Sequence, residues 1–201
     1  MRTATPARSI ERNGATWRVD GVATDLVVDA AGAWADAVAV RAGVPCIGLQ
    51  PYRRTIAIAR VPDRSRLRGA MVCEVDEQFY FKIEGDDLLL SPADETPAEP
   101  GDARPDELDV ALALERVEEV TGLGLRSIRT SWAGLRSFVP DRRPVVGAWP
   151  DHPGFAFVAG QGGSGIETAP ALSAFAAAVL TGAPLPDDVL VDPADLAPTR
   201  G

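Results

Sequence analysis

Four glycines fall within six residues at Gly160-Gln-Gly-Gly-Ser-Gly165, between the apolar run Phe155-Ala-Phe-Val-Ala159 and an alanine-rich stretch that continues to Leu180. A short apolar run bounded by turn residues reads as a buried strand. The stretch 168–180 reads as a helix that Gly182, Pro184 and Pro186 bring to an end. Strand, glycine-rich turn and helix in this order let backbone N–H groups at a helix start approach a bound group closely. Just upstream, Trp132-Ala-Gly-Leu-Arg-Ser-Phe-Val-Pro-Asp-Arg-Arg-Pro144 has the character of a strand that delivers one arginine, Arg136, into a turn. A planar guanidinium holds a carboxylate through a two-bonded fork that lysine cannot reproduce. The two segments together suit an enzyme that holds a carboxylate beside a large group.

The remaining pattern places these segments in a larger fold. Residues 10–19 read as a hairpin about Asn13-Gly14, both of which tolerate positive φ. Asp25-Leu-Val-Val-Asp-Ala-Ala31 is an apolar run of the kind found in buried parallel strands; Gly32 ends it, and 33–42 reads as a helix closed by Gly43 and Pro45. After Pro51 the pattern changes to short strands at 54–59, 70–75, 78–83 and 87–90, the spacing of an antiparallel sheet. The acidic, proline-rich stretch 91–105 reads as a solvated loop. Residues 106–120 have helical spacing, with Asp106 as the cap and Leu108, Leu112, Val117 and Val120 as buried positions. A strand returns at 126–137, and the tail beyond Gly182 reads as loosely held. The fold class expected is α/β with an inserted antiparallel α+β segment. Residues 1–45 and 143–201 form one domain and 46–142 the other.

Composition narrows the partners. The 201 residues carry a formal net charge of −9, which disfavours nucleic acid and anionic membrane surfaces. No run of about 18 apolar residues offers a membrane span, and no secretory leader pattern opens the chain, so a cytoplasmic location is expected. Cys46 and Cys73 lack CxxC spacing, which argues against a metal site or a disulfide framework; they read as two separate buried thiols. His152, the single histidine, lies in Asp151-His-Pro-Gly154 and reads as an exposed turn residue.

Five segments in order resemble the C-terminal part of the FAD-dependent D-amino-acid oxidase superfamily. They are Val27-Val-Asp-Ala-Ala-Gly-Ala-Trp34, Pro51-Tyr-Arg-Arg-Thr55, Asp76-Glu-Gln-Phe-Tyr-Phe-Lys82, Trp132 to Asp141, and Gly160 to Ile166. Within the superfamily, Ser91-Pro-Ala-Asp-Glu95 and Trp132-Ala-Gly-Leu-Arg-Ser-Phe138 are most similar to bacterial D-arginine dehydrogenases. The resemblance implies the C-terminal part of a Rossmann-like FAD-binding domain joined to an antiparallel substrate-binding sheet. It implies oxidation of a D-amino acid, or of a related amine, to an imino acid by hydride transfer to flavin. A glycine- or sarcosine-type oxidase is the neighbouring alternative. The superfamily begins with a strand, a Gly-x-Gly-x-x-Gly turn and a helix that grip the FAD pyrophosphate. These residues contain no such element, so a truncated chain is expected. An N-terminal half on another chain would complete the site; otherwise the chain is a non-catalytic fragment or binding partner.

The resemblance also assigns residues. Arg136 holds the substrate carboxylate, the alternative being a surface salt bridge to Asp141 or another acid. Arg54 is a second carboxylate ligand, although neighbouring Arg53 points to the other face of the strand and competes for the role. Tyr80 faces the substrate from the side opposite Phe79 and Phe81. Glu167 stands near the substrate, where D-arginine dehydrogenases carry glutamine. Ala31, Gly32, Gly134, Gly160, Gly162, Gly163, Ser164, Gly165 and Ile166 line the cofactor. Trp34 reads as a packing residue. No side chain is expected to act as a catalytic acid or base, because hydride transfer needs orientation more than proton abstraction.

Overall fold

A computed structural model describes residues 3–200. The chain runs through β1 (Ile10–Asn13), β2 (Thr16–Val19), β3 (Val22–Thr24), β4 (Val27–Asp29), a 3-10 turn (Gly32–Trp34) and α1 (Ala35–Arg41). It continues through β5 (Gln50–Ala59), β6 (Val72–Cys73), β7 (Tyr80–Glu84), β8 (Asp87–Ser91), β9 (Thr96–Pro97) and α2 (Glu107–Thr121). It ends with β10 (Ile128–Phe138), β11 (Val145–Ala148), β12 (Phe155–Ala159), α3 (Gly165–Thr181) and α4 (Pro193–Leu196). Two compact units result: Met1–Gln50 with Arg136–Gly201, and Pro51–Leu135. This is the α/β chain with an antiparallel α+β insertion that the pattern indicates.

In the first unit, β12 pairs antiparallel with β11 and parallel with β4. A second sheet is built from β1, β2 and β3, its hairpin turning at Gly14 with φ 64°. Trp17 is buried with Phe155 and Phe157, their successive ring centroids 5.4 Å apart. The Trp17 indole N–H donates to the Pro153 carbonyl at 2.9 Å, which satisfies its polar tip inside the core. Gly154 must be glycine, since a Cβ there would overlap the Asp25 carbonyl and the indole. Segment 46–49 stays with this unit because the Asp36 carboxylate on α1 accepts from Ile47 and Leu49 N–H at 2.9 and 2.8 Å.

The tail is not loosely held. Leu196 of α4 is buried with Val146, Phe175 and Ala176, and Asp192 caps α4 at the Ala194 N–H. Arg200 then forks onto Asp141, Nε to Oδ2 at 2.8 Å and Nη2 to Oδ1 at 3.0 Å. That fork, with Arg143 alongside, holds the Asp141 carboxyl well below the usual carboxylate range. The pattern of the tail is polar and proline-rich, so one buried leucine and one bidentate ion pair were enough to escape it.

In the second unit the strands run in the order β10-β5-β8-β7-β6, with β9 against β5. Helix α2 covers one face, and Ala57, Ala59, Leu88 and Leu90 pack with Ala113 and Val117. Asp106 caps the helix as expected, accepting from the Leu108 N–H at 2.9 Å. The buried stripe differs from the expected one. Leu108 and Val120 are 80% and 59% exposed, and the inward positions are Val110, Ala113, Leu114 and Val117. That set has the i, i+3, i+4, i+7 spacing of a single face, which the expected set mixed with its neighbour.

The expected thiol burial also fails: Cys46 and Cys73 are both free and exposed, Cys73 on the short strand β6. Trp34 is 47% exposed rather than packed away. Among the described residues no helix is long and apolar enough to cross a membrane, and no cluster of His, Cys, Asp and Glu could hold a metal.

Candidate functional site

In the first unit, the end of β10 lies along the glycine loop. Strand alternation puts Arg136 and Phe138 on one side and Ser137, which is buried, on the other. The Gly162 N–H donates to the Ser137 carbonyl at 3.1 Å and fixes the register. A Cβ on Gly163 would lie 3.0 Å from Arg136 Nη1 and 3.5 Å from its Cζ. A Cβ on Gly162, whose φ is 54°, would overlap the Phe138 ring. A Cβ on Gly160, whose φ is 72°, would meet Val139 Cγ1 at 3.7 Å. The glycines are therefore a cradle: the loop can lie flat under Arg136 and Phe138 only without side chains of its own. The Arg142 guanidinium stands 3.7 Å from the Phe138 ring centroid and closes the stack. Asp141 is engaged by Arg143 and Arg200, as described above.

The loop opens into α3. Ser164 occupies the cap position, but its hydroxyl makes no capping bond; its carbonyl accepts from the Thr168 N–H and hydroxyl, both at 2.9 Å. The first turn carries Ile166, 96% exposed, and the exposed carboxylate of Glu167. A helix start without a side-chain cap presents N–H groups and the positive end of the helix dipole outward.

At the end of β4, Ala31 is half-buried and Gly32 is exposed with φ 58°, a conformation that explains the glycine without any close neighbour. The residue that sequence reasoning passed over is Asp29. It is 3% exposed, its Oδ1 accepts from the Ala31 N–H at 3.1 Å, and its buried Oδ2 has no partner among the described residues. Burial is the main cause that pushes its carboxyl up to about 6, opposed by the Ala31 bond and aided by Asp36. The available signal was a carboxylate inside an apolar run that ends at a glycine turn.

In the second unit the strand registers separate the two neighbouring arginines. Arg53 lies on the α2 side, with Nη2 2.6 Å from Asp109 Oδ2 and Nε 3.5 Å from Asp94 Oδ2. Ile58 pairs with Leu89 and Leu89 with Lys82, so stepping by twos puts Arg54 and Tyr80 together on the opposite face. Phe79 and Phe81 stack at 6.5 Å and pack toward the core of this unit. Arg54 is 9% exposed; its Nε donates to the Asp94 carbonyl at 2.8 Å and its Nη2 to Glu95 Oε1 at 3.0 Å.

The acidic loop is thus not simply solvated. Asp94 also accepts from the Thr55 N–H and hydroxyl, at 2.6 and 3.1 Å, so the loop is clamped to β5. Gly134, on β10, is exposed, and a Cβ there would meet nothing within 4 Å.

A family model described as FAD dependent oxidoreductase (DAO) matches residues 1–179. The chain is 29% identical over 178 residues to FAD-dependent oxidoreductase domain-containing protein 1 of Bos taurus, covering 78% of this chain and 36% of that protein. Its fold is similar to glycine oxidase from Geobacillus kaustophilus, with a TM-score of 0.80 and 23% identity, covering 98% of this chain and 52% of the other. L-proline dehydrogenase from P. horikoshii is equally similar, at TM-score 0.80 and 20% identity over 97% and 53% of the two chains. The chain therefore spans about a third of the curated relative's length and about half of each solved neighbour's. With nine-tenths of its residues inside the family model, this chain belongs to the FAD-dependent oxidoreductases of the DAO family.

Proposed function

We propose that this chain supplies the carboxylate-binding and flavin-edge residues of an enzyme that oxidises a D-amino acid or related amine to an imino acid. The observation that carries the reading is the Arg136 guanidinium lying against Gly163, at the mouth of the loop that opens α3. FAD is the family's cofactor, and the residues fit one edge of it: the α3 start has no side-chain cap, and its positive end favours negative charge. Bound there, FAD would supply the acceptor for the hydride of the substrate Cα–H.

The chain's own residues then orient. Arg136 forks onto the substrate carboxylate, and Phe138, steadied by Arg142, keeps the loop in place. Arg54 is already bonded to Glu95, so a carboxylate reaching it would displace that side chain. Tyr80 shares the face of Arg54 and serves as a hydroxyl donor there. Glu167, exposed in the first turn of α3, favours a substrate with a cationic side chain, which supports a D-arginine-type amino acid over glycine or sarcosine. The grip on the FAD pyrophosphate is assigned to an N-terminal half, supplied on another chain or on a longer form of this one.

The test is co-expression with a segment carrying the Gly-x-Gly-x-x-Gly half. A flavin absorbance band and dye reduction with D-amino acids are expected, strongest for D-arginine. Absence of flavin uptake, or no reduction with any D-amino acid, glycine or sarcosine, overturns the reading. The exposed Trp34 and Ile166 favour a second one, a non-catalytic binding partner, which that outcome would select.

A further inference from the structure

We propose that the second unit carries an anion site, a groove that takes a phosphate-bearing small molecule. The inference does not rest on the oxidoreductase reading. Arg60, Arg64, Arg66, Arg126 and Arg129 line one groove of about 640 Å³ near the end of β5 and the segment that leads into β10. They are five of the 20 basic residues in a chain whose net charge is −9. The Arg60 N–H donates to the Ser127 carbonyl at 3.0 Å, which fixes the spacing between the Arg60 and Arg126 backbones.

Two carboxylates, Asp63 and Asp87, stand in the groove against the five guanidinium groups. Asp87 is 5% exposed and faces Arg129 at 3.1 Å. Asp63 turns its carboxylate onto the Ser65 N–H and hydroxyl at 3.0 and 2.6 Å, and those bonds hold its carboxyl below the usual range. Arg66 donates to the Gly122 carbonyl at 2.7 Å, and Arg64 pairs with the exposed Asp86 at 2.7 Å. Arg60 and Arg126 are exposed and have no side-chain partner among the described residues.

The chemistry of the ligand follows from the donors. A guanidinium matches two oxygens of a phosphoryl group at once, and exposed guanidinium groups converging on one groove favour an anion of two or more charges. Its size is bounded by the groove, whose volume lies in the ordinary range of about 300–1,000 Å³ for small-molecule sites. A long polyanion such as nucleic acid is disfavoured, because the acidic remainder of the chain would repel it beyond the groove. Val61, Pro62 and Leu123 add apolar wall on which an organic moiety can rest.

Titration calorimetry of the full chain tests this with tripolyphosphate and with adenosine diphosphate, against sodium chloride at matched ionic strength. Saturable binding with Kd at or below about 1 mM is expected for at least one phosphate ligand. The double variant R60Q/R126Q, at exposed positions, should weaken it at least about tenfold, one charge-assisted bond or more. R64Q alone should weaken it less, and R8Q/R12Q in the first unit should leave it unchanged. Equal affinity for the two ligands assigns the site to phosphate alone, while tighter adenosine diphosphate binding brings in the apolar wall. Heat no greater than that of chloride, binding untouched by R60Q/R126Q, or binding of an acidic peptide in place of either phosphate overturns the proposal.

Discussion

Helices α2 and α3 begin in opposite ways. At α2, Asp106 adopts an extended conformation and accepts from the Leu108 N–H, while Asp109 in the first turn holds Arg53 at 2.6 Å. At α3, Ser164 has φ −107° and ψ 11°, its hydroxyl caps nothing, and the first turn carries an almost fully exposed isoleucine. The contrast extends beyond the helices. The second unit ties its buried arginine, Arg54, to its own Glu95 and the Asp94 carbonyl. The first leaves the buried Asp29 Oδ2 without a partner among the described residues. Buried polar atoms are almost always bonded, so the Asp29 Oδ2 stands apart from the closed hydrogen bonding of the second unit.

The largest effect that would break this contrast is at the cradle. Gly162→Ala places a methyl group into the Phe138 ring at positive φ, and a loss of about 2–4 kcal/mol in urea unfolding is expected. A loss below about 1 kcal/mol would mean that Phe138 swings clear and the cradle is not rigid. In a flavin-loaded complex, Arg136→Ala should lower kcat/KM by about 3 kcal/mol, roughly 100-fold, as two charge-assisted bonds are removed; unchanged kinetics would take Arg136 out of the site.

Asp29 gives a pH signature. Its folded carboxyl titrates near 6, above the ordinary 3.8, so its contribution favours folding below about pH 4 and is lost as pH rises through 6. Measured from pH 4 to 7, Asp29→Asn should remove a falling component on the order of 2 kcal/mol. Parallel curves for the two proteins would show that the carboxyl is not desolvated. The smallest effects form a pair: Asp106→Ala should cost about 1 kcal/mol and Ser164→Ala less than about 0.5 kcal/mol by thermal unfolding. Equal costs would erase the difference between the two helix starts.

Local chemistry was legible where one residue decides the outcome. Asn13-Gly14 set the hairpin, the apolar run ending at Gly32 set a parallel strand, and Asp106 set the start of α2. Long-range partners were not legible. The acidity of 91–105 suggested solvent, yet Asp94 is clamped by Thr55 and Arg53 from another strand. The choice between Arg53 and Arg54 needed the register of β5 against β8 and β7, and only then did Arg54 share a face with Tyr80. In α2 the alanines hid the inward stripe, because Ala113 is small enough to pack against the sheet while Leu108 points outward. At Gly162 the residue type indicated a close approach, but Phe138 as the approaching group came only from the fold.

The parallel pairing of Val27, Val28 and Asp29 with Phe155, Ala156 and Phe157 joins two stretches separated by the whole Pro51–Leu135 unit. A contiguous unit can collapse as soon as it leaves the ribosome, whereas this pairing must wait until β12 has been synthesised. During that interval β4 lacks its β12 partner. The first unit thus completes its sheet last, and the order of synthesis exposes the β12-facing side of β4 while the inserted unit is being made.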